Sequence, residues 1–128
     1  MTIPAADNMG LREEAESVII PFARNVNDKG CLFAGAIFAG ATLAAYRAAE
    51  RLFAARGLAG DLVAKGATIR YLRRIESDGR AAAVAHDGPY EKANGNHAIS
   101  VTATVSDADG AAGAELNADF VLLKARNG

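Results

Sequence analysis

The sequence predicts a single α+β domain in which one long central helix is wrapped by an antiparallel β-sheet. Three observations carry that expectation. Residues Ala34 to Arg56 form one sustained helical stretch bounded by turn formers at both ends. Beyond it the period changes, and residues 61 to 124 alternate apolar and polar positions as strands do. Three turn dipeptides, Asp78-Gly79, Asn94-Gly95 and Asp109-Gly110, divide that stretch at nearly even spacing.

Taken in order, residues 1–10 are polar and short-patterned, which predicts a flexible leader ahead of one domain over residues 11–128. Leu11 to Glu16 (LREEAE) fits either a helical turn or the start of a strand. Val18-Ile19-Ile20-Pro21-Phe22 reads as a strand, with Pro21 placing it at an edge or a bulge. Asn25 to Phe33 is rich in turn formers and leads into the helix. The first half of that helix carries no charge, so protein should enclose it. Its second half sets Arg47, Glu50, Arg51 and Arg56 on a polar stripe, with Ile37, Ala41, Ala44, Ala48 and Leu52 on an apolar one. Gly57 is placed to end it as a C-cap glycine. Gly35 and Gly40 each cost about 1 kcal/mol relative to Ala inside a helix, which close approach of another backbone or of a ligand would offset. Four long strands should follow as a meander. The third alternates Ile99, Val101, Ala103 and Val105 with Ser100, Thr102, Thr104 and Ser106; the fourth sets Leu116, Ala118, Phe120 and Leu122 against Asn117 and Asp119. Strands this long twist, so the sheet should curl around the helix.

Bulk properties narrow the function. A chain of 128 residues, 51% hydrophobic and 23% charged, can bury a real core. A formal net charge of -1 provides no basic field for nucleic acid. No stretch approaches the ~18 uncharged apolar residues of a membrane span, and the N-terminus lacks the basic start and apolar run of a signal peptide. The expectation is a cytoplasmic protein that binds neither nucleic acid nor membrane. Cys31 is the one cysteine, which excludes an intramolecular disulfide and the multi-cysteine zinc patterns.

The run Asn25-Val26-Asn27-Asp28-Lys29-Gly30-Cys31-Leu32-Phe33-Ala34-Gly35-Ala36-Ile37-Phe38 resembles the YiiD C-terminal thioesterase domain family: an Asn, a second Asn, then Gly, an aromatic and a small-Gly-small run opening the helix. Ile69-Arg70-Tyr71-Leu72 leading to Asp78 is similar to that family's second strand, with Arg73 or Arg74 where a Pro is usual. Asp119-Phe120-Val121-Leu122-Leu123 fits its last strand. The likeness runs from about Leu11 to Lys124. It implies a hotdog fold, an acyl-CoA or acyl-carrier thioester substrate, no cofactor or metal, and a homodimer or a tetramer of dimers. Against the broader phenylacetyl-CoA-type hotdog thioesterases, Asn27 and Gly30 match the family Asn and Gly. Phe33-Ala34-Gly35 stands where His-Gly-Gly would be, and Thr42 where an acid would be. A different branch has an Asp at the Asn27 position, so both familiar acid positions are neutral here.

Thioester hydrolysis needs oxyanion stabilisation, an aimed or deprotonated water, and a slot for the acyl chain. The leading N–H groups of a helix lack internal partners and carry partial positive charge, which makes Ala34 and Gly35 the oxyanion candidates. Asn27 is the candidate for orienting water or the carbonyl, and Phe33 and Thr42 for lining the slot. Asn25 and Gly30 complete the loop, and Arg70 and Arg74, clustered in sequence with Arg73 and Arg80, suit coenzyme A phosphates. Asp28 is the nearest carboxylate in the loop, with Glu50 and Asp61 as remoter bases reached across a dimer. Each has a plainer reading. Asn25 and Asn27 serve turns and caps by default, Thr42 bonds its own helix backbone, and a strand's charges face solvent. Cys31 reads as a small buried hydrophobe rather than a nucleophile, because His86 and His97 lie on the far hairpin. Two histidines are too few for a zinc site. A protein that binds acyl thioesters without turnover is the alternative, supported by the two neutral acid positions. A hotdog domain kept as an assembly module is a third.

Overall fold

The computed structural model describes residues 2–124. In chain order it contains α1 (Pro4–Asn8), β1 (Arg12–Glu14), β2 (Ser17–Ile20), α2 (Phe22–Asn25), α3 (Ala34–Ala55), β3 (Gly60–Tyr71), β4 (Gly79–Glu91), β5 (His97–Ser106) and β6 (Ala112–Lys124). The strands form one six-stranded sheet in the order β1-β2-β4-β5-β6-β3, every pair antiparallel. Helix α3 lies across one face of it, packed on β4, β5, β2 and β6.

The helix can sit close to the sheet because its inward face is mostly alanine. Ala36, Ala41, Ala44, Ala45, Ala48 and Ala49 are all buried, with Ile37, Leu43 and Phe53 filling between them. Gly40 belongs to the same contact, since a Cβ there would collide with the side chain of Ile20 on β2. The helix ends where expected. Gly57 has φ +70, its N–H donates to Ala54 O (3.0 Å) and the Leu58 N–H donates to Phe53 O (3.0 Å), which together make a Schellman cap. The alternation read in the last two strands also holds. Ile99, Val101, Ala103 and Val105 are buried, as are Leu116, Ala118, Phe120 and Leu122, while Asn117 and Asp119 are exposed. On the outer face Ser100 Oγ donates to Asp119 Oδ1 (2.6 Å) and Thr102 Oγ1 to Asn117 Oδ1 (2.7 Å).

Several local expectations change. The strand over Val18–Phe22 stops at Ile20, and Pro21 caps the short helix α2 instead. Pro21 has no N–H for a ladder, and the Phe22 N–H donates to Asp78 Oδ1 (2.8 Å). Asp78 is therefore a cap residue, and Asp78-Gly79 is not a hairpin turn. The four-strand meander is corrected with it: β3 pairs with β6, not β4. Residues 72–78 instead carry the chain past the start of α3, held by Leu32 N–H to Ile75 O (2.8 Å) and by the fully buried Ile75 side chain. That crossover delivers β4 to the side of β2, and only β4, β5 and β6 form a meander. Asn94-Gly95 and Asp109-Gly110 do turn hairpins. In each the glycine has φ +86 and the loop closes more widely, through Lys92–Asn96 and Asp107–Ala111, than a two-residue turn would. Leu11–Glu16 resolves as strand β1 turning into β2 through Ala15 at φ +53. The segment read as a leader contains α1, and Ile3, Ala6 and Leu11 pack against the core. No helix of the described residues is long and apolar enough to cross a membrane.

Candidate active site

The loop ahead of α3 is built by its asparagines. Asn27 Oδ1 accepts the Lys29 N–H (2.9 Å) and the Cys31 N–H (3.0 Å), and the Asn27 N–H donates to Cys31 O (2.7 Å). Gly30 sits at φ +77 with open space where a Cβ would be, so the turn's backbone conformation is what requires it. Asn25 Nδ2 donates to Met9 O and Pro21 O, both at 2.9 Å. Both asparagines therefore hold backbone in place, the plainer role expected of them.

This loop delivers a helix start that has no side-chain cap. Phe33 O accepts the Ala36 and Ile37 N–H groups (3.0 and 3.1 Å), while the N–H groups of Ala34 and Gly35 have no partner among the described residues. Unpaired donors at a helix N-terminus attract developing negative charge. The Phe33 side chain, 57% exposed, lies against Gly35, where an added Cβ would come 2.6 Å from Phe33 Cε2. From β3, the Tyr71 hydroxyl donates to Ala34 O (3.0 Å), and burial raises its pKa.

Two concavities flank the first turns of α3. One, of about 300 Å³, has Asn27, Lys29, Ala34, Tyr71, Arg73 and Arg74 in its lining. The other, of about 440 Å³, is apolar and has Phe38, Thr42, Leu43 and Phe120 in its lining. Asn27 and Thr42 thus line different concavities and do not face one another within the described chain. Thr42 Oγ1 does not bond back to its helix; it is buried without a hydrogen-bond partner, the only such side-chain atom among the described residues.

The arginines do not form one cluster. Arg74 lies beside the helix start with Arg73, Arg70 on β3 pairs with Glu115 (3.2 Å), and Arg80 on β4 reaches Glu14 (3.7 Å) toward the opposite edge of the sheet. Among the carboxylates, Asp28 is exposed and pairs with Lys29 (3.2 Å). Glu50 accepts from Arg47 (2.9 Å), and that hydrogen bond leads the causes that raise the Arg47 pKa. Glu50 and Asp61 line a third concavity of about 480 Å³, which shares Ile3 and Tyr46 with the apolar one. Cys31 is buried, as read, with its thiol toward Lys29 O (3.8 Å). His86 is exposed, and His97 is half-buried edge-on to Phe53 (6.4 Å between ring centroids). No group of three His, Cys, Asp or Glu residues among those described could hold a metal.

Sequence reasoning missed three parts of this site. Tyr71 read only as a strand residue, and nothing local marks its reach to Ala34. The unpartnered state of Thr42 is a tertiary fact. The N-terminal wall of the apolar cavity did leave a trace, the i, i+3, i+6 spacing of Ile3, Ala6 and Met9, which the polar residues around it obscured.

A long helix embraced by an antiparallel sheet, its uncapped start beside an apolar slot, defines a hotdog fold. The chain belongs to the family described as "Putative thioesterase (yiiD_Cterm)", matched over residues 1–124. Among solved structures it is similar to a "putative thioesterase" from Shewanella oneidensis at 23% identity and TM-score 0.81, covering 95% of this chain and 89% of that one. It is also similar to a "putative esterase" from Mycobacterium tuberculosis at 17% identity and TM-score 0.81, covering 97% and 99%. A Bacillus halodurans protein solved with CoA matches at 18% identity and TM-score 0.74, covering 96% and 78%. At these identities the structural likeness establishes the fold. No curated protein matches the chain.

Proposed function

We propose that the protein is an acyl-CoA thioesterase that works as a homodimer. The observation that carries this reading is the position of the α3 start between an apolar cavity and a cation-lined concavity. A thioester has that same division: an apolar acyl chain, a reacting carbonyl, and a carrier bearing phosphates. The chain occupies the cavity beside Phe38 and Thr42, the carbonyl oxygen meets the Ala34 and Gly35 N–H groups, and Arg74 with Lys29 and Arg73 receives phosphate. Water adds to the carbonyl, the oxyanion collapses, the C–S bond breaks, and the CoA thiolate leaves and takes a proton. Asn27, whose Nδ2 makes no hydrogen bond among the described residues, orients the carbonyl or water. Family membership and the CoA-bound Bacillus halodurans neighbour support the same substrate class.

Dimerisation is supported by the unequal edges of the sheet. One edge, β1, is three residues long and entirely charged. The other, β3, is twelve residues long, and one bulge between Ala64 and Gly66 is the main interruption of its ladder to β6. An edge that long invites pairing. Light scattering should give twice 13.2 kDa, and a monomer at working concentration would remove this part of the proposal.

The experiment for the reaction is turnover of an acyl-CoA panel by the intact protein, followed by thiol release. Binding without turnover would favour the second reading, an acyl-thioester-binding protein. One observation favours that reading: among the described residues no carboxylate lines either concavity beside the helix start. General-base catalysis typically contributes 10²–10⁴-fold, so a site without a base would be slow.

A further inference from the structure

We propose that the N-terminal segment Ile3–Leu11 is the end wall of the acyl cavity and sets the length of chain the protein accepts. This rests on the acyl-thioester reading above. The cavity has two walls of different character. Helix α3 supplies one, through Phe38 and Thr42, with Phe120 of β6 beneath. The N-terminal segment contributes Ile3, Ala5, Ala6, Met9 and Leu11 to the lining, and β3 contributes Ala64.

That segment is not held by a core of its own. None of the residues of α1 is buried. It is held in place from α2: Arg24 Nη2 donates to Asn8 O and Asn25 Nδ2 to Met9 O, each at 2.9 Å. Gly10 at φ +67 then turns the chain into β1, and the Leu11 N–H closes on Ala6 O (3.0 Å). Two polar side chains thus clamp a short segment over a space that it does not fill. The space is an open apolar groove of about 440 Å³, within the size range of a small-ligand site.

The chemistry of the lining selects the occupant. Among the described residues Thr42 and Tyr46 are the lining residues with a side-chain oxygen. The charged groups Arg47, Glu50 and Asp61 line the neighbouring concavity instead. An uncharged flexible chain suits such a space, and Gly35, Ala39 and Thr42 lie on one helical face leading to it from the helix start. The chain tail then ends against Ala6 and Met9, which makes those two residues determinants of length.

The test is calorimetric binding of straight-chain fatty acids from butyrate to palmitate, and of the matching acyl-CoAs, to the wild type, Ala6→Phe and Met9→Ala. Wild-type affinity should rise about fourfold per methylene until the wall is met and then level off. Ala6→Phe should move the plateau to chains shorter by about two methylenes or more, and Met9→Ala should move it to longer ones. Melting curves identify the folded variants, and the two opposite shifts do not depend on a single substitution being tolerated. An unmoved plateau in both folded variants overturns the wall, even where acyl-CoA turnover stands. A shifted plateau without turnover keeps the wall and removes the thioesterase reading. Absence of chain-length-dependent binding in all three proteins overturns both and leaves the cavity to a protein partner.

Discussion

The Phe33 ring packs on Gly35, so that a Cβ at position 35 would lie 2.6 Å from Phe33 Cε2. The glycine lets an aromatic ring lie against a helix start whose first two N–H groups are unpaired among the described residues. A ring 57% exposed can be displaced by a ligand without disturbing the core. Gly35→Val puts branched carbon in the same place and cannot be displaced. We expect kcat/KM for acyl-CoA to fall at least about 10-fold, as when an oxyanion donor is lost, with circular dichroism unchanged. Full activity in the folded variant would locate the oxyanion elsewhere.

Gly40 answers to a different neighbour. A Cβ there would run into Ile20, which is fully buried under the helix. Alanine improves helix propensity by about 1 kcal/mol, but overpacking a filled core typically costs 1–3 kcal/mol. Gly40→Ala should therefore lower stability by about 1 kcal/mol in urea unfolding. Combining it with Ile20→Val should lose less than the two single changes added together. Additive losses would mean that the helix and β2 do not meet at this point.

These two glycines show how far the sequence could be read. Both are costly inside a helix, and approach of a backbone or a ligand is the compensation expected; the neighbours are instead side chains, Phe33 two residues upstream and Ile20 on β2. Periodicity located α3, its Gly57 cap, and the buried faces of β5 and β6, because each depends on residues a few positions apart. It misplaced β3, because pairing with β6 rather than β4 is decided by Ile75 and the crossover at residues 72–78. Asp78-Gly79 has the composition of a turn, yet Asp78 is taken up by the Phe22 N–H. The arginines adjacent in sequence separate for the same reason, since the crossover sends Arg70 and Arg80 to different parts of the sheet.

Tyr71 ties the edge strand to the helix start, and its titration reports the burial of its hydroxyl there. Burial raises its pKa above the ordinary tyrosine value, so the fold favours the protonated phenol. The stability this contributes is fully present below the unfolded-state value and is lost as pH rises through the folded-state value. Tyr71→Phe removes the donor to Ala34 O. Because the side chain is half exposed, we expect a loss of about 0.5 kcal/mol near neutral pH, at the low end for a hydrogen bond. The fall in stability above about pH 10 should also become shallower. Parallel alkaline limbs in the two proteins, measured by denaturant melts across pH, would count against burial of the phenol, while an unchanged stability near neutral pH would count against the hydrogen bond.

Thr42 gives the sharpest separation of stability from function. Its Oγ1 is buried without a partner among the described residues, although the residue itself lines the apolar concavity. Leaving a buried hydroxyl unsatisfied costs roughly 1–3 kcal/mol, whereas an apolar group of the same shape has no such penalty. Valine is also β-branched and differs in helix propensity by little. Thr42→Val should therefore stabilise the fold by about 1 kcal/mol, read as a higher Tm and urea midpoint. A residue kept against its local cost is expected where function uses it. Thr42 lies about two turns along α3 from the Ala34 and Gly35 N–H groups, in the slot for the acyl chain, so the same variant should change KM for acyl-CoA while kcat is kept. Higher stability with unchanged kinetics would remove Thr42 from the slot. No gain in stability would mean that water satisfies the hydroxyl in solution, and the argument from its burial would fall.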